Sequence, residues 1–539
     1  MGATLLLLLL AYLAFNMTTV VVPEQGGTYV EGIAGTPSIV NPVLAQNDVD
    51  ADLVALLFRG LTQGTDTGVV VPDLARSWVI SPDDLTYTFA LRDDARWHDG
   101  VPVTADDVVY TIRIIQDPDF QGNPQLSSLW RSVTVEKVDS HTVRFRLTES
   151  FAPFLGYTSV GLLPAHLLQD VPAADLPQAA YNLHPIGTGP FAVEELDGSR
   201  ALLKAAPGYD GEKPYLAKVE FKFYPSYKAV LEAYDRKEVE GVGRVESQEI
   251  ERVMRTSGLA LFSAPISGYA VILLNLDRVP FQDKRLRQAL LNGMNRQRLI
   301  DQVLDGQGLV AHSPVMPTQW SYHSGIKKYE HDPARARALL EAAGWTDADG
   351  DGVREKAGQR LQFALLTDKS PLRVALMEEI VRQWAEIGAQ AVPQTVGFSG
   401  LARDFLRPRQ FDAVLVEWSD LPVDPDPYPL WHSSQTVDVG RNYAGFRNRE
   451  ADELMEEGRR ILDFQTRTSL YRQFQDIFAE EVPSLLLYYR VYNYAVDRSV
   501  HAVQIGPLRV PSDRFRSLSQ WYINTRRVIL SETLSPAKK

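Results

Sequence analysis

The sequence predicts an α/β protein, and two observations support this. Segments that alternate between apolar and polar residues, as β-strands do, are interleaved with segments that carry the apolar spacing of helices. The chain has 539 residues, of which 45% are hydrophobic, so it is long enough for three or four structural units, each with a buried core.

The clearest strand patterns lie in the first third of the chain. Residues 86–91 alternate strictly, which predicts a strand that buries Tyr87 and every second residue after it. Residues 133–138 and 142–147 flank a short Asp-Ser turn. We therefore expect these two segments to form a β-hairpin.

Helix starts and ends are marked by capping residues. Thr104 is followed by Asp107 at the third helical position, which resembles a capping box. Asp332 and Pro333 begin a second helix, and Gly344 ends it. Each of these signals predicts a helix boundary.

A third helix and a strand are predicted near the end of the chain. Apolar residues in the segment 470–478 fall at i, i+1, i+4, i+7 and i+8, the pattern of an amphipathic helix. Pro483 stops this helix, and residues 485–489 follow as a buried strand.

The charge and the cysteine content exclude several classes of protein. The formal net charge is −13, so nucleic acid is not the expected partner, because a phosphate backbone requires a basic surface. A chain this acidic is expected to be soluble and monomeric. It contains no cysteine, which rules out disulfides and thiol chemistry.

The N-terminus carries an apolar segment. An unbroken run of leucines begins at Leu5, and mostly apolar residues continue to Val22. No basic residue precedes the run and no clear cleavage site follows it, so residues 1–23 are interpreted as an uncleaved anchor or a signal lacking its basic start. A buried core helix is the alternative.

The chain contains none of the common catalytic motifs. It has no G-x-S-x-G elbow, no phosphate-binding Walker loop and no H-E-x-x-H zinc motif, and its nine histidines never pair at helical spacing. We therefore expect a protein that is not an enzyme and that needs no cofactor.

One acidic turn resembles a calcium loop. Asp347, Asp349, Asp351 and Gly352 match four positions of an EF-hand loop, but the position of its final bidentate glutamate is occupied by Gly358. The sequence leaves open a tight acidic turn or a weak surface calcium site.

A second segment is a candidate ligand site. A predicted strand ends at Trp418, and an acidic loop stiffened by prolines follows it as far as Tyr428. Ligands of open α/β sheets bind at such strand ends. Trp418 offers an apolar face and one N–H donor, and Asp420 offers a carboxylate for a ligand ammonium group. The alternative is that Trp418 lies in the core and the aspartates are solvated.

Several motifs in the same order resemble the extracellular solute-binding proteins of family 5, the peptide, dipeptide and nickel receptors of ABC importers. The most specific are residues 74–78 through 91–93, Trp97-His98-Asp99-Gly100, Thr104 to Val108, Gly187 to Phe191, Phe281 to Leu290, Asp332 to Trp345, Asp424 to Pro427 and Asn442 to Phe446. Since Thr104 caps a helix and residues 97–100 form a turn, these motifs mark the fold and not an active site.

The resemblance implies a two-lobed periplasmic-binding-protein fold, with mixed sheets flanked by helices and a ligand cleft between the lobes. Lobe I would comprise residues 24–65, 186–268 and 488–530, and the inserted subdomain residues 66–185. Lobe II would comprise residues 269–487, and residues 531–539 would be a polar tail. Hinge bending would close the lobes on the ligand, and the closed form would dock on an ABC permease in the membrane.

The resemblance also implies the candidate ligand residues. Peptide receptors of the family hold the ligand ammonium with an aspartate three residues after the tryptophan, where this chain has Leu421, so Asp420 is the nearest candidate. Arg373 resembles an arginine that pairs with a dipeptide carboxylate in some members. The predicted site therefore comprises Trp418, Asp420, Tyr428, Tyr269 and Arg373, with no metal ligand and no catalytic residue.

The expected ligand is a di- or oligopeptide, captured outside the membrane. An oligosaccharide or a metal chelate is an alternative ligand for the same receptor. A secreted hydrolase and a sensory or structural module are alternatives from other classes.

Overall fold

A computed structural model describes residues 19–419, 421–437 and 439–529. The strands in chain order are β1 (Thr19–Pro23), β2 (Thr28–Ala34), β3 (Thr62–Gly64), β4 (Val70–Pro72), β5 (Ala75–Ile80), β6 (Thr86–Leu91), β7 (Thr134–Asp139), β8 (Thr142–Arg146), β9 (Phe191–Leu196), β10 (Arg200–Ala205), β11 (Lys218–Tyr224), β12 (Gly241–Val242), β13 (Leu259–Leu274), β14 (Gly308–Val310), β15 (Glu355–Lys356), β16 (Gln359–Arg360), β17 (Gln362–Asp368), β18 (Gln390–Val396), β19 (Ala413–Trp418), β20 (Ser484–Asp497) and β21 (Thr525–Ile529).

Helices alternate with these strands, as predicted. The longer α-helices are Asp48–Leu57, Ala105–Gln116, Pro124–Trp130, Tyr227–Asp235, Lys284–Asn292, Arg296–Val303, Pro333–Ala342, Pro371–Ala385, Arg449–Arg460 and Phe464–Glu481. Short helical turns are Phe154–Tyr157, Ala165–Leu168, Ile250–Arg255, Val279–Gln282, Phe398–Gly400 and Tyr428–Trp431. The 3₁₀ turns are Leu176–Gln178, Ala180–Leu183, Ser247–Glu249, Ser433–Thr436, Pro511–Phe515 and Leu518–Gln520, and Leu401–Leu406 is π-helical.

The largest sheet is mixed and extends through both predicted lobes. Its strand order is β18-β17-β19-β13-β20-β12-β2-β11-β10-β9, and β14 pairs with β20 beside this path. The pairs β17/β18, β17/β19, β2/β11 and β2/β12 are parallel, and the neighbours of β13 and β20 are antiparallel. The α/β class predicted from the sequence is confirmed.

Two long strands, β13 and β20, cross from one predicted lobe to the other. They pair with each other from Leu259↔Asp497 to Leu273↔Ser484, and the register shifts between Ile266 and Tyr269. β19 pairs with β13 only from Tyr269 onward, whereas β12 pairs with the far end of β20. The two crossing strands are therefore the covalent and hydrogen-bonded connection between the two halves of the sheet.

The predicted inserted subdomain has its own sheet and core. β5, β6, β8 and β7 form a four-stranded antiparallel sheet, which includes the predicted β7/β8 hairpin. Tyr87, Phe89 and Leu91 of β6 are buried, as the alternation predicted. The helix Ala105–Gln116 packs beside them with Val108, Ile112 and Ile115 buried.

The predicted capping signals are confirmed. The Thr104 side chain accepts from Asp106 N, and the Asp107 carboxylate accepts from Thr104 N at 2.8 Å and from the Trp97 indole at 3.2 Å. Asp332 caps Pro333–Ala342, and the long helix ending at Glu481 is followed by β20. The signature residues therefore stabilise a helix start, as the sequence suggested.

The terminal segments are described only in part. Residues 19–23 of the predicted anchor form β1, which pairs with β21, and residues 1–18 and the tail 531–539 lie outside the described residues. Among the helices of the described ranges, none has both the length and the apolar character that a bilayer crossing requires.

Candidate ligand cleft

Trp418 ends strand β19 beside the crossing strand β13, opposite Tyr269. Its ring stacks on Tyr443 with centroids 5.9 Å apart and planes 13° apart, and the Arg441 guanidinium lies 4.9 Å from the Trp418 ring centre. The Trp418 indole N–H is buried and has no hydrogen-bond partner in the described part of the chain. The Trp418 ring is therefore held in place by Tyr443 and Arg441, and its indole N–H is a hydrogen-bond donor that is unpaired among the described residues.

Arg373 lies in the first turn of Pro371–Ala385 and faces two carboxylates. Its guanidinium is 2.8 Å from Asp368 and 3.4 Å from Glu417, and Arg490 of β20 makes a short ion pair with Glu417. Two positive and two negative side chains thus balance each other at the ends of β17 and β19. A ligand carboxylate at Arg373 would compete with these acidic partners.

The two predicted tyrosines differ in their surroundings. Tyr269 is fully buried in the core beside β19, and burial raises the pKa of Tyr269 well above its usual value. Tyr428 is half-buried, stacks on His432 with centroids 4.0 Å apart, and lies under the guanidinium of Arg459 at 4.1 Å. Tyr269 is placed to support Trp418 from the neighbouring strand, whereas Tyr428 belongs to the loop that follows.

The acidic loop after Trp418 is held by ion pairs. Asp420 lies outside the described residues. Asp424 accepts two bonds from Arg467, at 2.7 and 2.9 Å, and Asp426 lies 3.0 Å from Arg459. Neither aspartate is a solvated turn residue, because each is mostly buried against its arginine.

Burial changes the acidity of one of these carboxyl groups. Burial raises the pKa of Asp426 to about 6, even though the nearby Arg459 lowers it. The Asp426 carboxyl accepts the backbone N–H of Tyr428 at 3.1 Å, which fixes the start of the short helix Tyr428–Trp431.

Residues 421–429, here called the proline loop, form one wall of a cleft between the predicted lobes. The largest cavity of the cleft has a volume of about 520 Å³ and is bordered by residues 42–58 and 509–513 of lobe I, residues 126 and 153–161 of the inserted subdomain, and Pro422 to Asp424. A neighbouring cavity of about 180 Å³ is bordered by Tyr157, Leu421, Trp431 and Arg441. The volume of the larger cavity, about 520 Å³, is typical of a small-molecule binding site.

The four predicted site residues that the structure describes lie outside the walls of these cavities. Trp418, Tyr269, Tyr428 and Arg373 are absent from the walls of the cavities described here, whereas their neighbours Leu421, Pro427 and Arg441 are present. The structure brings Trp418 and Tyr269 together as a cross-strand pair, and Arg373 contacts Glu417, the residue before Trp418.

Several residues of the cleft were not found from the sequence. Arg441, Arg459 and Arg467 orient Trp418 and the proline loop, and Arg509 borders the lobe I side. The motif Asn442 to Phe446 pointed to this region but did not reveal that Tyr443 stacks on Trp418. Charge pairs between distant segments leave no local sequence pattern, so no signal pointed to the arginines.

The acidic turn near residue 350 lies elsewhere in lobe II. Carboxylate oxygens of Asp347, Asp349, Asp351 and Glu355 gather within 4.8 Å of one another. Asp347 accepts the backbone N–H groups of Gly350 and Gly352, and Arg360 pairs with Asp351 at 2.7 Å. These bonds describe a tight acidic turn whose four carboxylates are also close enough to share one cation, so the geometry fits both interpretations of the sequence.

The comparisons with known proteins agree over most of the chain. The sequence profile of the bacterial extracellular solute-binding proteins, family 5 middle region, matches residues 69–438. The oligopeptide-binding protein AppA of Bacillus subtilis is 31% identical over 495 residues, which cover 90% of each chain. The dipeptide-binding protein of Escherichia coli is 28% identical over 518 residues, 91% of this chain and 94% of the relative.

A solved structure extends this similarity to the fold. The structure of Bacillus subtilis AppA in complex with a nonapeptide has a TM-score of 0.72 and 30% identity, and covers 93% of this chain and 100% of that one. The two-lobed α/β fold expected from the sequence is therefore confirmed. Together these similarities show that the chain belongs to the bacterial extracellular solute-binding proteins of family 5.

Proposed function

We propose that this protein is the substrate-binding subunit of an ABC-type importer and that it captures di- or oligopeptides outside the membrane. The observation that carries the proposal is the cleft between the lobes, whose largest cavity of about 520 Å³ has walls from lobe I, the inserted subdomain and the proline loop. The peptide specificity of two relatives supports the choice of ligand class. Hinge bending at β13 and β20 would close the cleft, and an ABC permease would receive the closed form.

The site residues expected from the sequence have distinct proposed roles. The Trp418 indole N–H is buried and has no partner in the described residues, and we assign it to a ligand carbonyl that reaches it from the neighbouring cavity bordered by Leu421 and Arg441. Tyr269 positions Trp418 from the adjacent strand. Asp420 binds the ligand ammonium, Arg373 pairs with a ligand carboxylate in competition with Asp368 and Glu417, and Tyr428 shapes the proline loop.

The proposed receptor role requires no catalytic groups in the cleft. A receptor that releases its ligand intact needs neither a nucleophile nor a cofactor, and a peptide with both termini charged suits a cleft with fixed polar groups. We further propose an extracytoplasmic location, with the N-terminal apolar segment as the means of attachment, and a monomeric receptor.

The test is mass spectrometry of the solute released when the protein, purified from a rich medium, is denatured. Peptides of two or more residues are the expected result. An oligosaccharide or a metal chelate would retain the receptor role and overturn the peptide assignment. Turnover of a peptide library by the purified protein would overturn the receptor role itself.

The peptides identified in this way allow a test of Trp418. Trp418→Phe keeps an aromatic ring against Tyr443 but removes the N–H donor, so we expect about a tenfold loss of affinity, the effect of about one hydrogen bond. Trp384→Phe is the matched control, because its indole N–H bonds to Leu290 O in the lobe II core. Equal affinities of the Trp418 variant and the unsubstituted protein would contradict the assigned role.

A further inference from the structure

Arg509 occupies the point where three cavities of the cleft meet. It borders the cavity of about 520 Å³, a second of about 260 Å³ and a third of about 30 Å³. The segment around it faces Pro422 and Val423 of the proline loop across the first and third cavities. A ligand held between lobe I and the proline loop would therefore contact Arg509.

Three other arginines of the cleft already have partners. Arg59 pairs with Asp73 at 2.6 Å, and Arg516 pairs with Asp513 at 3.2 Å. Arg441 lies over the ring of Trp418. The guanidinium of Arg509 is exposed and makes no ion pair or hydrogen bond with the residues that the structure describes. Its charge is thus not neutralised within this part of the protein.

The backbone of Arg509 is fixed to the crossing strand. Leu508 forms a parallel bridge with Ile266, and Ser267 N donates to Leu508 O at 2.7 Å. Arg509 N donates to the Asp513 carboxylate at 2.8 Å. The next turn is anchored by Arg514, which is fully buried. Because the backbone under this guanidinium needs no ordering on binding, only the Arg509 side chain has to be fixed by a ligand.

Arg514 is itself held by two buried carboxylates. It donates to Asp52 at 2.6 and 2.7 Å and to Glu31 at 3.1 Å. This ion-pair cluster fixes the short helix Pro511–Phe515 against the helix Asp48–Leu57 and strand β2.

The acidic groups that face the same cavities are mostly engaged. Asp424 is bonded to Arg467, Asp73 to Arg59, and Asp513 to Arg516 and two backbone N–H groups. Asp66, on the turn between β3 and β4, borders the smallest cavity and is exposed. The guanidinium of Arg509 is therefore a positive charge in the cleft that none of these neighbouring carboxylates pairs with.

We infer that Arg509 binds a carboxylate group of the ligand, an inference that rests on the proposed peptide-binding function. A guanidinium forms two parallel N–H···O bonds with a carboxylate, which gives both strength and orientation. A peptide offers this group at its C-terminus and on aspartate or glutamate side chains. Arg509 thereby determines which anionic group of the peptide lies on the lobe I side of the cleft.

The test uses a defined pool of synthetic peptides of two to nine residues. Each peptide is made with a free and with an amidated C-terminus, and with and without an acidic side chain. Retained peptides are quantified by mass spectrometry after ultrafiltration with the unsubstituted protein, Arg509→Gln, Arg509→Lys and the control Arg498→Gln. The Arg498 side chain is exposed and bonds only to Ser257 O within the described residues, so its replacement removes the same charge outside the cavities described.

We expect Arg509→Gln to lose about tenfold or more of its retention of carboxylate-bearing peptides. Arg509→Lys should keep part of this retention, and the control all of it. Loss of the preference for free over amidated C-termini identifies the terminal carboxylate, and loss confined to acidic peptides identifies the side chain. Because Arg509 is exposed, the Tm without peptide should not change.

Two other outcomes distinguish a failure of the Arg509 role from a failure of the proposed peptide-binding function. If the unsubstituted protein retains peptides and Arg509→Gln retains the same ones equally well, the role of Arg509 is overturned and the receptor function stands. If the unsubstituted protein retains no peptide of the pool, the peptide-binding function is overturned together with this inference.

Discussion

At the scale of single residues, the clearest consequence of burial concerns Asp426. Burial in the folded protein raises the pKa of this carboxyl to about 6, whereas an aspartate in an unfolded chain has a pKa of about 3.9. Between these pH values the folded state binds a proton that the unfolded state does not. The contribution of Asp426 to stability is therefore present below about pH 4 and is lost as the pH rises through 6.

This reasoning predicts a difference between the unsubstituted protein and Asp426→Asn, which cannot titrate. From about pH 4 to pH 7, the unfolding free energy of the unsubstituted protein should fall by about 2 to 3 kcal/mol relative to that of the variant. Urea unfolding of both proteins at several pH values measures this difference, and all other titrating groups are common to both. Parallel pH dependences would contradict the prediction.

At the scale of secondary-structure elements, the meeting point of β13 and β19 depends on Gly268. Its φ is +131°, and a Cβ atom there would lie 2.2 Å from Trp418 O. Gly268→Ala would therefore separate the strands that align Tyr269 with Trp418. We expect this variant to lose stability and to bind the released peptides more weakly.

Gly306→Ala is the matched control for this element. Gly306 also has a positive φ, +78°, but no atom lies within 4 Å of an added Cβ, so only the backbone strain of about 1 to 2 kcal/mol applies. Gly268→Ala should therefore have a lower Tm and a lower peptide affinity than Gly306→Ala. Equal losses would mean that the close approach to Trp418 O has no role.

At the scale of the whole molecule, hydrogen bonds link the predicted inserted subdomain to predicted lobe II across the cleft. Ala152 N donates to Arg459 O at 2.6 Å, and Trp320 N donates to Thr67 O at 3.2 Å. Arg459 also lies over the ring of Phe151 at 4.9 Å. These contacts require the two walls of the cleft to be close together, as in a closed receptor.

Ligand binding should therefore protect the amides of Ala152 and Trp320 from hydrogen exchange, because it increases the population of the closed form. The amide of Ala105, which bonds to Ser140 O at 2.9 Å within the inserted subdomain, is the internal control and should not change. Exchange mass spectrometry with and without the released peptides makes the comparison. Unchanged exchange at all three amides would argue against closure.

Sequence patterns predicted the local elements well because their causes are local. The alternation in β6, the Thr104 capping box and the helix that ends before Pro483 depend on residues within a few positions of each other. The family motifs likewise revealed the two-lobed fold. The limits of the lobes and the five ligand residues remain predictions.

What the sequence by itself determined is therefore the α/β class, the family and the strand that ends in Trp418. Only the tertiary structure decided which charges of the cleft are neutralised. Asp424 is paired with Arg467, 43 residues away, whereas the guanidinium of Arg509 has no ion-pair or hydrogen-bond partner among the described residues. The physical reason is that an ion pair depends on the distance between side chains from remote segments, which no local pattern encodes.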